Sequence, residues 1–237
     1  MSWNEKNKAH DAMNERGFQL QVNSQLVPGI YWTPKDQDSK YLVLLGHGGT
    51  ESKTADYIVN MARLLANQGI SSMAIDGPGH GERSTREFGT EPDAFQKIWQ
   101  AGGGTSGMLA DWRAALDFIE SEAGPRPTGW WGLSMGTMMG LPVVATDQRI
   151  SVALLGLMGN WGPNGSDLMR YAADVTCPVR FLVQWDDEIV PRDTCLELFD
   201  ALATSKKTLH ASPGKHVEVP QFEIAASVDF LSYRLKK

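Results

Sequence analysis

The pentapeptide Gly132-Leu133-Ser134-Met135-Gly136 puts one hydroxyl between two glycines, where a β-type run, "TGWWGLS", gives way to a helical run, "MGTMMGLPVVAT". A turn that tight holds its central residue in a strained conformation, and side chains two positions to either side would strike backbone, so glycine is what fits. In this strand-to-helix setting the G-x-S-x-G pattern aims a serine hydroxyl above a sheet, at a helix N-terminus that favours developing negative charge. A serine is a weak nucleophile at neutral pH; it needs a base within hydrogen-bond reach and a third group to orient that base. Beyond Ser134 the sequence offers two histidines, His210 inside the strand-like "KKTLHAS" and His216 in the following loop "SPGKHVEVP". The loop residue, His216, is the base candidate. Between serine and histidine, "QWDDEIVPRD" follows an apolar strand and offers Asp186, Asp187 and Glu188 as the orienting acid. The chain order is serine, acid, histidine, as such a sheet requires.

The elements that must position these groups follow from patterning. Short β-type runs alternate with helical ones, which predicts an α/β fold with a mostly parallel central sheet of about eight strands and helices on both faces. "GFQLQV" and "LVPGIYWTP" read as an N-terminal antiparallel pair at a sheet edge, turning at Asn23, Ser24 and Gln25. "YLVLLGHGG" is a continuous apolar strand suited to a buried position; "TADYIVNMARLLANQG" is a helix closing on Gly69; "ISSMAID" is the next strand. Residues 77 to about 105 are an irregular, glycine-rich excursion with a short helix at "DAFQKIWQ", and "MLADWRAALDFIES" resumes as an amphipathic helix. Trp130 and Trp131 fall on opposite faces of the strand beneath Ser134, where both rings support the helix layers. Strands "SVALLGL", "VRFLVQW" and "KKTLHAS" and helices "RDTCLELFDALA" and "PQFEIAASVDFLSYRL" complete the chain, with only a loop expected around "GNWGPNGSD". No repeat or linker divides residues 1–237, so a single domain is expected.

Composition excludes several classes of function. With 42% hydrophobic and 21% charged residues over 237 positions, the chain reads as globular, and no apolar run approaches a bilayer-crossing length. The N-terminal "MSWNEKNKAHDAMNERG" carries charges and amides where an export peptide needs an apolar core, so a cytoplasmic location is expected. Cys177 and Cys195 are too few for a disulfide framework. A net charge of −6 with dispersed basic residues argues against nucleic acid as a partner, and five scattered histidines without a CxxC give no metal site.

Taken jointly, "LGHGG", "DGPGHGER", "GLSMG", "DDEIVP" and "PGKH" resemble the α/β-hydrolase superfamily from about Tyr41 to the C-terminus. The resemblance implies that the acid stands four residues before the proline of a D-x-x-V-P segment. That place is held by Asp187 relative to Pro191, with Asp186 and Glu188 as alternatives. It implies an oxyanion hole from the backbone N–H of Met135 and of Gly49, with Thr50 as substitute for the latter. His47 and His80 take structural roles by the same comparison. The interval between "ALLGL" and "CPVRFLV" is too short for a large cap domain, whereas the excursion at 83–107, carrying Phe88, Phe95, Ile98 and Trp99, could cover part of the cleft. Met158, Trp161, Phe88 and Trp99 are the pocket candidates. The layout resembles cap-poor dienelactone hydrolases, although those carry cysteine where Ser134 stands. The expectation is a serine hydrolase needing no cofactor, a carboxylesterase acting on small or medium esters. A lactonase, thioesterase, peptidase or carbon–carbon bond hydrolase would use the same three residues, and a non-catalytic binding protein could keep the fold. Oligomeric state is not legible, since no heptad seam marks an interface.

Overall fold

The computed structural model describes residues 2–9, 12–35, 39–84 and 93–237. They form a nine-stranded sheet, β1 (Ser2–Ala9), β2 (Met13–Val22), β3 (Gln25–Pro34), β4 (Leu42–Gly46), β5 (Ser71–Ile75), β6 (Thr128–Gly132), β7 (Ile150–Gly156), β8 (Val179–Gln184) and β9 (Lys207–Ser212). The strand order is β1-β2-β3-β5-β4-β6-β7-β8-β9. From β5 to β9 each neighbouring pair is parallel, whereas β2 is antiparallel to both β1 and β3, and β3 is antiparallel to β5. The sheet therefore exceeds the expected eight strands by one. The expected N-terminal pair is a three-stranded unit, with β1 rather than the pair itself at the edge. The β2–β3 hairpin turns on Asn23 and Ser24 alone, both at positive φ (46° and 65°), and Gln25 already pairs with Val22.

The helices are α1 (Asp56–Asn67), α2 (Ala94–Ala101), α3 (Gly104–Ala123), α4 (Met135–Thr146), α5 (Gly165–Ala172), α6 (Arg192–Ala201) and α7 (Gln221–Leu235). α1 ends as its sequence directs: Gly69 adopts φ 73°, and the N–H groups of Gly69 and Ile70 close on the carbonyls of Ala66 and Leu65. α5 is a correction, because only a loop was expected around "GNWGPNGSD", and the helix starts within that stretch at Gly165. It is the only helix between β7 and β8 among the described residues.

Alternation along the strands splits the core in two. Leu42, Leu44, Trp130, Phe181 and Val183 face one way, onto α3, α4, α5 and α6; Val43, Leu45, Trp131 and Leu182 face the other, onto α1 and α7. The Trp130 ring meets Trp112 of α3 edge-on at 4.6 Å. α4 comes so close to Trp130 that a Cβ on Gly140 would stand 2.0 Å from the indole. Fully burying each such large apolar side chain contributes about 1.5–3 kcal/mol.

The chain crosses from β4 through α1 to β5 on one face and returns through α3 to β6 on the other, so β4 and β6 lie side by side with their following loops diverging. A crevice at the carboxyl ends of the strands results at such a switch point. No helix among the described residues is long and apolar enough to cross a membrane.

Candidate active site

The loop after β6 holds the serine. Ser134 has φ 58° and ψ −122°, a conformation that costs a non-glycine residue about 1–3 kcal/mol and persists only where the surroundings enforce it. They do so here by close approach. A Cβ on Gly136 would lie 2.4 Å from the Gly46 carbonyl oxygen, and one on Gly132 would lie 2.7 Å from that of Gly136. Only glycine lets β4, β6 and the start of α4 come together at this point. The Ser134 N–H donates to the Gly156 carbonyl at the end of β7 (2.9 Å). Thr137 locks the same junction, its hydroxyl lying 2.7 Å from the Gly156 carbonyl and accepting the Gly156 N–H at 2.8 Å.

The loop after β9 brings His216 over this serine. Nε2 of His216 is 2.9 Å from Ser134 Oγ, and Nδ1 is 2.7 Å from Asp187 Oδ2. Because a carboxylate only accepts, Nδ1 carries the ring proton and Nε2 is the acceptor facing the serine hydroxyl. The side chains of His216 and Asp187 are both buried, whereas Ser134 keeps part of its surface exposed. The other oxygen of Asp187 accepts the N–H groups of Ile189 (2.9 Å) and Val190 (2.8 Å), which fixes the carboxylate plane.

Of the three adjacent acids, then, it is Asp187 that the structure brings to the imidazole. Its neighbours hold the backbone of the histidine loop instead. Glu188 accepts the N–H of His216 at 2.9 Å, and Asp186 accepts that of Gly214 at 3.3 Å. The His216 N–H is the chief reason that the Glu188 carboxyl is held below its ordinary range. Gln184 of β8 reaches under the same loop, donating to the carbonyls of Lys215 (3.1 Å) and Glu218 (2.9 Å). None of these supports was anticipated from sequence, since only their target, a backbone, links them.

His47 follows β4. Its Nδ1 donates to the Gly48 carbonyl (2.8 Å) and its Nε2 accepts the Gly77 N–H (2.9 Å), so both ring nitrogens are spent on backbone. Burial, above all, pushes its pKa down to about 4 and keeps it neutral. The peptide between Gly48 and Gly49 is planar and trans, so holding the carbonyl one way aims the Gly49 N–H the other. Among the described residues, none accepts the N–H of Met135, Gly49 or Thr50.

Beneath this loop lies a buried ionic cluster drawn from "DGPGHGER". Asp76 accepts the Lys53 ammonium (2.7 Å), the Lys53 N–H (2.9 Å) and the Glu82 N–H (2.9 Å). Arg83 pairs with Asp111 at 2.7 Å, and burial raises the Asp111 carboxyl against the pull of that guanidinium. His80, also lowered mainly by burial, has its Nδ1 2.7 Å from the Pro78 carbonyl.

The pocket candidates divide. Trp99 and Met158 lie in the core, each 3% exposed, and can shape a cleft only from beneath. Trp161 is exposed at 41%, and Phe88 lies outside the described residues. Phe95 of α2 borders the loop after β4 instead: its ring meets His80 edge-on at 6.1 Å and stands 3.9 Å from where a Cβ on Gly49 would be. Among the described residues no group of three or more His, Cys, Asp or Glu side chains is arranged to hold a metal ion.

A parallel sheet with antiparallel N-terminal strands and a serine on a strained turn at its switch point is the architecture of an α/β-hydrolase. The family model described as "Serine aminopeptidase, S33" matches residues 37–159, and the chain belongs to that family of hydrolases. It is 60% identical to a cold-adapted esterase from an Arctic intertidal metagenomic library, solved bound to PEG; the match covers 99% of this chain and 100% of that one, with TM-score 0.94. An acetyl xylan esterase from Paenibacillus sp. R4, at 17% identity over 98% of this chain and 89% of that one, with TM-score 0.78, shares the fold. The lysophosphatidylserine lipase ABHD12 of Danio rerio is 25% identical over 213 residues, 74% of this chain. The chain spans 51% of the length of that curated relative.

Proposed function

We propose that this single-domain hydrolase is a serine carboxylesterase working through an acyl-enzyme on Ser134. The observation that carries the reading is the relay Ser134 Oγ, His216 and Asp187, at 2.9 and 2.7 Å. Ser134 Oγ attacks the ester carbonyl carbon while His216 Nε2 takes the hydroxyl proton. The carbonyl oxygen becomes an oxyanion that accepts the N–H groups of Met135 and Gly49, and each such donor lowers the barrier by about 2.7–4 kcal/mol. Asp187 orients the ring and stabilises the imidazolium, which then returns its proton to the departing alkoxide. Water repeats the sequence on the acyl-enzyme: His216 takes its proton, the oxygen attacks, and Ser134 leaves with the proton restored. Similarity to the cold-adapted esterase supports ester over amide substrates.

The rim suits an apolar acyl or alcohol group of modest length. Val217, next to His216, is 82% exposed, and Ile189, next but one to Asp187, is 48% exposed, so large apolar surface stands in water in the two loops that carry the relay. Between β7 and β8 the described residues hold a single short helix, α5, which is consistent with a cleft that lacks a large cap.

A fluorophosphonate probe tests the nucleophile: labelling at Ser134, abolished in Ser134→Ala, is expected, and a folded wild type that does not label would refute the reading. A p-nitrophenyl ester series of increasing acyl length should peak at short to medium chains. Turnover confined to thioesters or amides would overturn the ester assignment.

A further inference from the structure

The loop after β4 contains two successive glycines, Gly48 and Gly49, and glycine peptides swing between conformations at little cost. An oxyanion donor carried on such a segment contributes only if its direction is fixed before the reaction begins. His47 supplies one clamp, on the Gly48 carbonyl, and thereby acts on the peptide that follows Gly48. The peptide that precedes Gly48 has a different partner: its N–H donates to Tyr57 Oη at 2.6 Å.

Tyr57 is well placed to hold that direction. It is the second residue of α1, so its backbone belongs to a rigid element. Its ring centroid lies 6.3 Å from that of Trp131, at 48° between planes, in the strand that leads to Ser134. One side chain thus ties the serine strand, the first helix and the loop of the second oxyanion donor together. The Gly48 N–H has no other partner among the described residues. Tyr57 is 40% exposed overall, so part of the side chain stays in water while its hydroxyl meets the loop.

We propose that Tyr57 is a positioning residue for the oxyanion hole: its phenol oxygen fixes the peptide before Gly48 as His47 fixes the one after it, so that the Gly49 N–H is aimed in advance. The proposal rests on the serine-hydrolase reading and deepens it. Without the phenol oxygen, the Gly48 N–H turns toward water, and rotation about the glycine carries the Gly49 N–H away from its line. The loss falls on the oxyanion, which exists only along the reaction path, and not on the bound ester. Burial, the largest cause, and the nearby Glu51 carboxylate push the Tyr57 phenol up to about 12, so its oxygen stays protonated near neutral pH.

Tyr57→Phe removes one oxygen and keeps the ring. The expected result is a kcat about tenfold lower on a short p-nitrophenyl ester, equivalent to ~1.4 kcal/mol, with KM within about twofold of wild type. A boronic acid that forms a tetrahedral adduct with the serine should bind about tenfold more weakly, in step with kcat/KM. The fluorophosphonate should still label Ser134 to completion, only more slowly, which establishes that the variant is folded and its nucleophile intact. Tyr57→Leu, which also removes the ring, should lose at least as much. A Tyr57→Phe enzyme with wild-type kcat and boronate affinity overturns the proposal, as does a deficit seen in Tyr57→Leu alone, which would assign the role to the ring. Failure of the wild type to label is a separate outcome: it removes the serine-hydrolase reading and this proposal with it.

Discussion

Thr137→Val isolates the junction beneath the serine. Thr137 is fully buried in the first turn of α4, and valine matches its shape with a methyl in place of the hydroxyl. The hydroxyl has one proton, which goes to the nearer carbonyl, that of Gly156 at 2.7 Å, in preference to that of Gly132 at 3.0 Å. In return it accepts the Gly156 N–H at 2.8 Å. After substitution the Gly156 carbonyl keeps the Ser134 N–H, but the Gly156 N–H faces a buried methyl group in place of the lost oxygen. One orphaned buried donor costs about 1–3 kcal/mol. Gly156 is held by its strand pairing: it lies opposite Leu182 of β8, and the Leu157 N–H donates to the Leu182 carbonyl at 3.0 Å. For a chain of this size each kcal/mol lowers Tm by roughly 2–4 °C, so a drop of about 4–8 °C is expected for a central value of ~2 kcal/mol. Because Gly156 also accepts the serine N–H, kcat should fall several-fold as well. Thr137→Ser keeps the hydroxyl and should recover most of both losses. Calorimetric melting and p-nitrophenyl ester turnover measure the two effects. A Thr137→Val protein melting within about 1 °C of wild type, or a Thr137→Ser protein as impaired as the valine variant, would refute the reasoning.

Asp187→Asn should lower kcat by about four orders of magnitude by presenting the wrong imidazole tautomer to Ser134. Asp186→Asn and Glu188→Gln, which touch only loop backbone, should lose about tenfold or less, and equal damage at Asp186 would displace the acid assignment. His47 gives the fold a pH dependence of definite sign. With a pKa of about 4 when folded and about 6.5 unfolded, it binds fewer protons in the folded state, so its contribution is complete above pH ~6.5 and disappears as pH falls toward 4. The full loss is about 3 kcal/mol, so urea midpoints should fall between pH 7.5 and 5 more steeply in wild type than in His47→Gln, and parallel slopes would contradict this assignment.

The fold was legible wherever burial imposed a pattern. β4 reads "LVLLG" and is buried at every position, and α1 shows its apolar stripe and its closing glycine. β1 has no such pattern. "SWNEKNKA" is an edge strand joined to the sheet through backbone bonds to β2, and Trp3, against Phe18 and Phe118 at 6.0 and 4.9 Å, is its apolar anchor. α5 was hidden for a related reason, since eight residues that start in a Gly/Asn-rich loop carry too little periodicity to announce a helix. At the site, Ser134 and His216 could be singled out because nucleophile and base have characteristic settings, but the choice of Asp187 over its neighbours needed the family resemblance. What sequence does not display is backbone recognition. Gln184, Glu188 and Tyr57 act on N–H and C=O groups that every residue possesses, so no spacing betrays them. Phe95 and Trp99 sit one helical turn apart on α2, and periodicity alone cannot tell which is swallowed by the core.

The distribution of work among Asp186, Asp187 and Glu188 bears on how this segment can vary among relatives. Each carboxylate meets a different atom, Gly214 N, His216 Nδ1 and His216 N, and the assignment depends on how many residues separate it from the end of β8. Swapping Asp186 or Glu188 disturbs a single anchor. Deleting or inserting one residue between Gln184 and Val190 shifts the whole reading frame and offers the imidazole a different acid on a different vector. A change of length between Gln184 and Val190 should therefore damage the relay more than exchange of Asp186 or Glu188 alone.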